Sequence, residues 1–104
     1  MAKSLEQMIL DECFWEYTFG EEEIRAMAHS NDSKEQTFLF GKILENTTHL
    51  LRSMRIFDDA DRARLIEAYT VGTFNRDFLT RRIQMLRFYY LNQPLEINEL
   101  KWAI

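Results

Sequence analysis

The chain has 104 residues, of which 46% are hydrophobic and 29% charged, with a formal net charge of −4. This length predicts a single domain, 1–104, and the composition excludes an intrinsically disordered chain. The single cysteine, Cys13, excludes an internal disulfide and a metal site built from several cysteines, and we expect it to be buried. The longest apolar run, 88–91, is too short to span a membrane and no signal segment follows Met1. We therefore expect a cytoplasmic protein without a membrane partner.

Two helices and an aromatic connection are predicted at the start of the chain. The first helix covers about 4–13, where Ser4 and Gln7 have the spacing of a capping box. The connection, 14–19, is too aromatic for a solvated linker, so we expect it to be packed. The second helix begins near the glutamates 21–23, whose charges suit a helix N-terminus, and ends near residue 30.

A long apolar stripe follows in the middle of the chain. From Leu39 to Met54 the apolar residues recur at helical spacing without a slip in phase. This regularity favours one helix over about 34–55. The alternative is a break at 46–48, where an asparagine and two threonines are poor helix formers.

Two further helices are predicted before a short amphipathic tail. The fourth is capped by Asp58 or Asp59 and ends near residue 70, with Leu65, Ile66 and Tyr69 facing inward and Gly72 as a left-handed C-cap. The fifth is capped by Asn75 and runs to about Leu91, ahead of a proline. Helical spacing predicts that its inward stripe consists of Phe78, Leu79, Ile83, Leu86, Tyr89 and Tyr90. The fold class is therefore an all-α bundle of five or six helices, with two helical hairpins that can stack in the manner of HEAT repeats.

Catalytic, cofactor and metal sites are not predicted. His29 and His49 stand on different helices without the further ligands that a metal site needs. His49 lies one turn after Glu45, which indicates an ordinary contact on a helix surface. The glycines are isolated and form no phosphate-binding loop. We therefore expect a protein without catalytic activity, cofactor or metal.

Arginines concentrate in the second half of the chain. The formal charge is −6 over residues 1–51 and +2 over residues 52–104. Arg82 projects into the apolar arc of the fifth helix, which indicates either a buried salt bridge or an anion site. Arg76, Arg81 and Arg87 lie on the same helix, with Arg76 and Arg87 on its outward face, and are the candidate contacts in the alternative hypothesis of nucleic-acid binding.

Large apolar residues away from the helix stripes indicate a contact surface. Phe38, Phe88 and Leu91 fall outside the stripes of their helices. Such residues form either a second packing layer or a surface for a partner protein or a homodimer. With the uneven charge, they favour a protein-interaction or regulatory module.

Two segments resemble a group of short bacterial helical domains. The first is the aromatic run 14–19, Phe-Trp-Glu-Tyr-Thr-Phe, and after an acidic helix the second is 38–46, Phe-Leu-Phe-Gly-Lys-Ile-Leu-Glu-Asn. Some domains of this group are encoded beside nucleotidyltransferase-type toxins of abortive-infection systems. The resemblance implies an antitoxin-like role, and the group offers no catalytic residues to carry over.

Overall fold

The computed structural model describes residues 3–93, and within this range the regular structure is helical, without strands. The elements are α1 (Leu5–Cys13), α2 (Glu21–Ala28), α3 (Ser33–Asn46), α4 (Leu50–Ser53), a 3-10 turn (Met54–Ile56), α5 (Asp59–Ala68) and α6 (Arg76–Leu91). The predicted all-α class is therefore confirmed. The predicted tail, 95–104, lies outside the described residues, and the HEAT-like stacking stays a prediction.

The chain divides into two compact units, Met1–Arg62 and Ala63–Ile104, and the division falls within α5. In the first unit α1, α2 and α3 each contact the other two helices, and α4 packs against α1 and α3. Burial of a leucine or isoleucine side chain stabilises a fold by about 1.5–3 kcal/mol. The core of the first unit consists largely of such residues, which lie fully buried: Ile9, Ile24, Leu39, Phe40, Ile43, Leu44 and Met54.

Side chains near the helix starts satisfy the free backbone amides of the first unit. The Ser4 hydroxyl accepts a hydrogen bond from the Gln7 amide at 3.0 Å, so the predicted cap of α1 is confirmed. At α2 the Glu23 carboxylate accepts from the Gly20 amide at 2.9 Å, which gives this glutamate a role at the start of the helix. None of the helices in the described range has the length and apolar character that a membrane crossing requires.

The prediction of one helix over 34–55 is wrong, and the alternative break is confirmed. α3 ends at Asn46, and Thr47 adopts an extended conformation with φ −70° and ψ 145°. The Thr47 hydroxyl donates to Glu12 Oε1 at 2.9 Å, and the Thr48 amide donates to the same atom at 3.2 Å. A carboxylate on α1 thus stabilises the break, and hydrophobic spacing within 34–55 carries no information about that partner.

The second unit contains α6 and the end of α5. Asn75 and Asn92 flank α6 with φ values of 51° and 56°, so both adopt the left-handed conformation. Gly72 was the wrong candidate for a left-handed cap, because no glycine of the described range has a positive φ and α5 already ends at Ala68. Asparagine tolerates the left-handed conformation better than most other residues do, which explains its presence at both ends of α6.

The buried stripe of α6 is narrower than predicted. Leu79, Ile83 and Leu86 are buried, whereas Phe78 and Tyr89 are exposed although their helical phase placed them inward. Two buried residues of α5, Leu65 and Ile66, match their prediction. Because phase alone cannot tell the centre of a stripe from its margin, the residues at its edges were assigned wrongly.

Candidate interaction surface

The connection between α1 and α2 builds an aromatic cluster around Phe14. Phe14 is 2% exposed, and its ring centroid lies 5.3 Å from that of Tyr17 and 6.0 Å from that of Phe38. Phe19 stacks on Tyr17 with a centroid separation of 5.0 Å. Edge-to-face and stacked ring pairs at these distances are favourable. The buried ring therefore anchors a connection that carries aromatic side chains to the surface.

Three aromatic side chains of this region face solvent, and we call Trp15, Tyr17 and Phe38 the aromatic face. Their exposed fractions are 63%, 39% and 42%. Trp15 and Tyr17 line the same groove, and Tyr17 contacts Phe38 with a centroid distance of 6.3 Å. The groove has a volume of about 370 Å³ and is lined by Gln7, Leu10, Asp11, Phe14, Trp15, Tyr17, Phe19 and Gly20.

A lysine of the chain already lies on one ring of the aromatic face. The Lys42 ammonium is 5.1 Å from the centroid of Tyr17. A cation over the face of an aromatic ring is attracted by the negative charge density of the ring. The position of Lys42, one turn after Phe38 on α3, brings the ammonium to this ring. The aromatic face therefore combines apolar area with rings that accept a cation.

A second concave region lies beside α1 and the break that follows α3. It has a volume of about 290 Å³ and is lined by Lys3, Met8, Asp11, Glu12, His49 and Arg52. His49 Nδ1 lies 3.3 Å from Glu12 Oε2 and 3.0 Å from the Thr48 hydroxyl. The predicted neighbour of His49 was Glu45, and the observed carboxylate is that of Glu12. Spacing along the helix could not identify Glu12, because 37 positions separate it from His49.

The Glu12 carboxylate is stabilised in its charged form. Burial raises its pKa, but hydrogen bonds from the Thr48 and Thr47 hydroxyls, the Thr48 amide and His49 outweigh this effect, so the pKa lies below its ordinary value. Its oxygens accept hydrogen bonds from Thr47 and Thr48 in the connection between α3 and α4, so this carboxylate has a structural role. Within residues 3–93 no group of three or more histidine, cysteine or acidic side chains is arranged to hold a metal ion.

The predicted arginines of α6 occupy different environments. Arg76 and Arg81 are exposed. The assignment of Arg87 to the outward face was wrong, because its guanidinium donates to the Tyr69 carbonyl at 2.8 Å and to the Ile66 carbonyl at 3.4 Å. These carbonyls at and beyond the end of α5 lack helical partners, which explains why an arginine binds them.

Arg82 and the apolar candidates of α6 are partly covered. The Arg82 guanidinium lies 4.5 Å from the centroid of Phe78, and the side chain is half-buried. Its interpretation as a buried salt bridge or an anion site stays a prediction. Phe88 and Leu91 are half-buried, whereas Phe38 is exposed in the aromatic face. Among the predicted contact residues, Phe38 thus lies in the most accessible position.

Sequence reasoning missed Trp15 and Tyr17 as surface residues. The aromatic run 14–19 predicted a packed connection, which holds for Phe14 but not for its neighbours. A usable signal was that these residues are consecutive, since consecutive side chains cannot all point to one core in a helix or in an extended segment. Cys13, in contrast, is buried as expected.

Comparisons with known proteins return no relative of this chain. No protein-family model matches it, nor does any curated protein or solved structure. The resemblance to antitoxin-like domains therefore stays a prediction, and the function has to be argued from the surfaces described above.

Proposed function

We propose that this chain is a protein-interaction module that regulates a partner protein in the manner of an antitoxin and has no catalytic activity of its own. The supporting observation is the aromatic face, where Trp15, Tyr17 and Phe38 are exposed beside a groove. Tyrosine and tryptophan are enriched at protein interfaces, and such residues dominate measured binding energies. Removal of this apolar area from water is favourable when a partner protein covers it.

The order of the surrounding residues supports the same function. Buried Phe14 holds the rings of Tyr17 and Phe38 in contact distance before any partner binds. A surface that is ordered in advance loses less conformational entropy on binding than a mobile loop does. The packed base and exposed rings therefore suit recognition of a specific protein.

Two variants and a matched control test this function in the full chain. Trp15→Ala and Phe38→Ala should each weaken binding of the partner captured from the source cell by about tenfold or more, as expected for interface aromatics. The control is Phe74→Ala, because Phe74 is 77% exposed and lies outside the aromatic face. A strictly monomeric protein that captures no partner, or capture unaffected by both variants, would contradict the proposal.

Phe88 and Leu91 extend the test to α6. Phe88→Ala and Leu91→Ala should also lower the yield of the captured partner if these half-buried residues contribute to the contact. A homodimer is included in the proposal, and analytical ultracentrifugation distinguishes it from a contact with another protein.

Nucleic-acid binding is the alternative that the exposed Arg76 and Arg81 support. It requires phosphate contacts that weaken steeply as salt increases. Arg87 is engaged with backbone carbonyls, so two of the three predicted contacts remain available. Charge reversal at Arg76 and Arg81 should then abolish binding to duplex DNA or RNA, and the absence of binding at low salt would eliminate this alternative.

A further inference from the structure

We infer that the aromatic face binds a cationic segment of the partner protein, with a lysine or arginine side chain on the Trp15 ring and an apolar side chain in the adjoining groove. The inference rests on the proposed function and adds the chemistry of the partner. Three observations carry it: the exposure of the indole, the position of Lys42, and the charges around the groove.

The ring geometry comes first. Lys42 lies over the ring of Tyr17 at 5.1 Å, so a cation already occupies one ring of this face within the chain. Trp15 is more exposed, at 63%, and indole attracts cations more strongly than the other aromatic side chains do. A partner ammonium or guanidinium group therefore finds at Trp15 the interaction that Lys42 makes at Tyr17.

The surrounding charge comes second. Glu16 lies between Trp15 and Tyr17 in sequence, and Glu22 follows the groove residue Gly20 by two positions. Both glutamates are exposed and, among residues 3–93, neither makes an ion pair or a side-chain hydrogen bond. These two carboxylates are available to an incoming base.

Two nearby cations of the chain, in contrast, are paired with acids, and Lys42 lies on the Tyr17 ring. Lys3 pairs with Asp11 at 2.5 Å, and Arg25 pairs with Glu6 at 3.0 Å. The surface beside the groove consequently presents unpaired negative charge, which attracts a basic segment and repels nucleic acid. Charge complementarity thus selects the class of partner.

The groove accounts for the apolar part of the segment. Its wall includes Leu10 and Phe14 as well as the polar side chains Gln7 and Asp11. An amphipathic segment can place an apolar side chain against Leu10 and Phe14 while its polar groups contact Gln7 and Asp11. A purely polybasic segment would leave this apolar wall uncovered.

A peptide selection on the full chain tests the inference. A random-peptide phage library should yield peptides with a net positive charge and at least one large apolar residue. The selected peptide is then synthesised, and its binding is followed by the fluorescence of Trp15 in a Trp102→Phe background, which leaves one tryptophan in the chain. Binding should weaken as salt increases, because exposed charges are screened.

Charge and ring variants provide the decisive contrasts. The double variant Glu16→Lys and Glu22→Lys should weaken binding of the peptide about fivefold or more. The control Glu67→Lys should leave binding unchanged. The ring effect is measured in a tryptophan-independent assay, because Trp15→Leu keeps an apolar side chain but removes the indole. That variant should weaken binding by about two- to fivefold.

Each contrary result has its own meaning. Selection of neutral or acidic peptides, or peptide binding that is unchanged in the double charge-reversal variant, overturns the hypothesis of a cationic partner segment. The proposed interaction function is not affected by these results. Failure to select any peptide, together with failure to capture a partner, overturns both. Self-association that disappears in Trp15→Leu would place a second copy on this face and would also overturn the inference.

Discussion

The first unit combines local helix caps with contacts between distant positions, whereas α6 in the second unit is bounded by residues next to it in the chain. In Met1–Arg62 the Ser4 hydroxyl caps α1 locally, but the Gln36 side-chain amide donates to the Ala28 carbonyl and to Asp61 Oδ2, both at 3.0 Å, and Glu12 binds the break after α3. In Ala63–Ile104 the ends of α6 depend on Asn75 and Asn92 in left-handed conformations. Helix bounds set by local residues are readable from sequence, whereas bounds set by distant side chains are not.

Both units contain an arginine side chain that donates hydrogen bonds to backbone carbonyls. Arg62 donates to the Phe57 carbonyl at 3.1 Å within the first unit, and Arg87 donates to the Tyr69 carbonyl at 2.8 Å within the second. In each case an arginine satisfies backbone acceptors next to a helix or turn end. The two units therefore differ in what defines their helix bounds, but resemble each other in how they satisfy exposed carbonyls.

The largest expected effect tests the core of the first unit. Phe40→Ala should lower the free energy of unfolding by about 3–5 kcal/mol, because Phe40 is fully buried and packs against Phe57. Phe38→Ala, on the same helix but 42% exposed, should cost about 1 kcal/mol or less. Urea unfolding measures both. Equal losses would mean that Phe38 belongs to the core and not to the aromatic face.

The next effect tests the long-range contact that ends α3. Glu12→Ala should lower the free energy of unfolding by about 1.5–3 kcal/mol, since a part-buried hydrogen bond from Thr47 and an exposed one from Thr48 to this charged group are lost. The matched control Glu16→Ala should change it by about 0.5 kcal/mol or less. If both glutamates behave alike, the first unit does not depend on its distant polar contact.

The same carboxylate predicts a pH dependence. Its pKa in the folded chain lies below the ordinary value of 4.5, so its stabilising contribution is present above that value and is lost as the pH falls through the folded pKa. The stability difference between the wild type and Glu12→Gln should therefore shrink on acidification from neutral pH to below 4.5. A difference that stays constant over this range would contradict the assignment.

A smaller effect is expected in the second unit. Arg87→Met should lower the free energy of unfolding by about 1 kcal/mol, because the carbonyls of Ile66 and Tyr69 lose a donor. Arg87→Lys should recover part of this loss, since an ammonium retains donors but lacks the planar fork. Hydrogen exchange of the α6 amides provides a local readout. If the α6 amides are equally protected from hydrogen exchange in Arg87→Met and in the wild type, the arginine contact is dispensable.

The smallest effect tests the local conformation at the start of α6. Asn75 has a φ of 51°, so Asn75→Ala should cost about 1 kcal/mol and Asn75→Gly should be close to neutral. Thermal unfolding monitored by circular dichroism measures the stability of both variants. An equal effect of alanine and glycine would remove the left-handed backbone as the reason for asparagine at this position.

Sequence alone predicted the helical class and several helix ends for physical reasons that can be named. Ser4 and the bounds of α6 depend on residues next to them in the chain, and these predictions are confirmed. The end of α3, which local composition offered only as the alternative, and the position of Arg87 depend on partners 18 to 36 positions away, and these partners were missed. The exposure of Trp15 was missed because composition indicates that aromatic residues favour burial but not which of several neighbours is buried.

The placement of α5 has a practical consequence for dissecting this protein. The boundary between the compact units falls after Arg62, in the middle of the helix Asp59–Ala68. A fragment cut at that boundary would end inside a helix and expose backbone amides and carbonyls that the intact chain pairs. A fragment designed around either unit should therefore keep the whole of α5, so the fragments for the two units overlap in sequence.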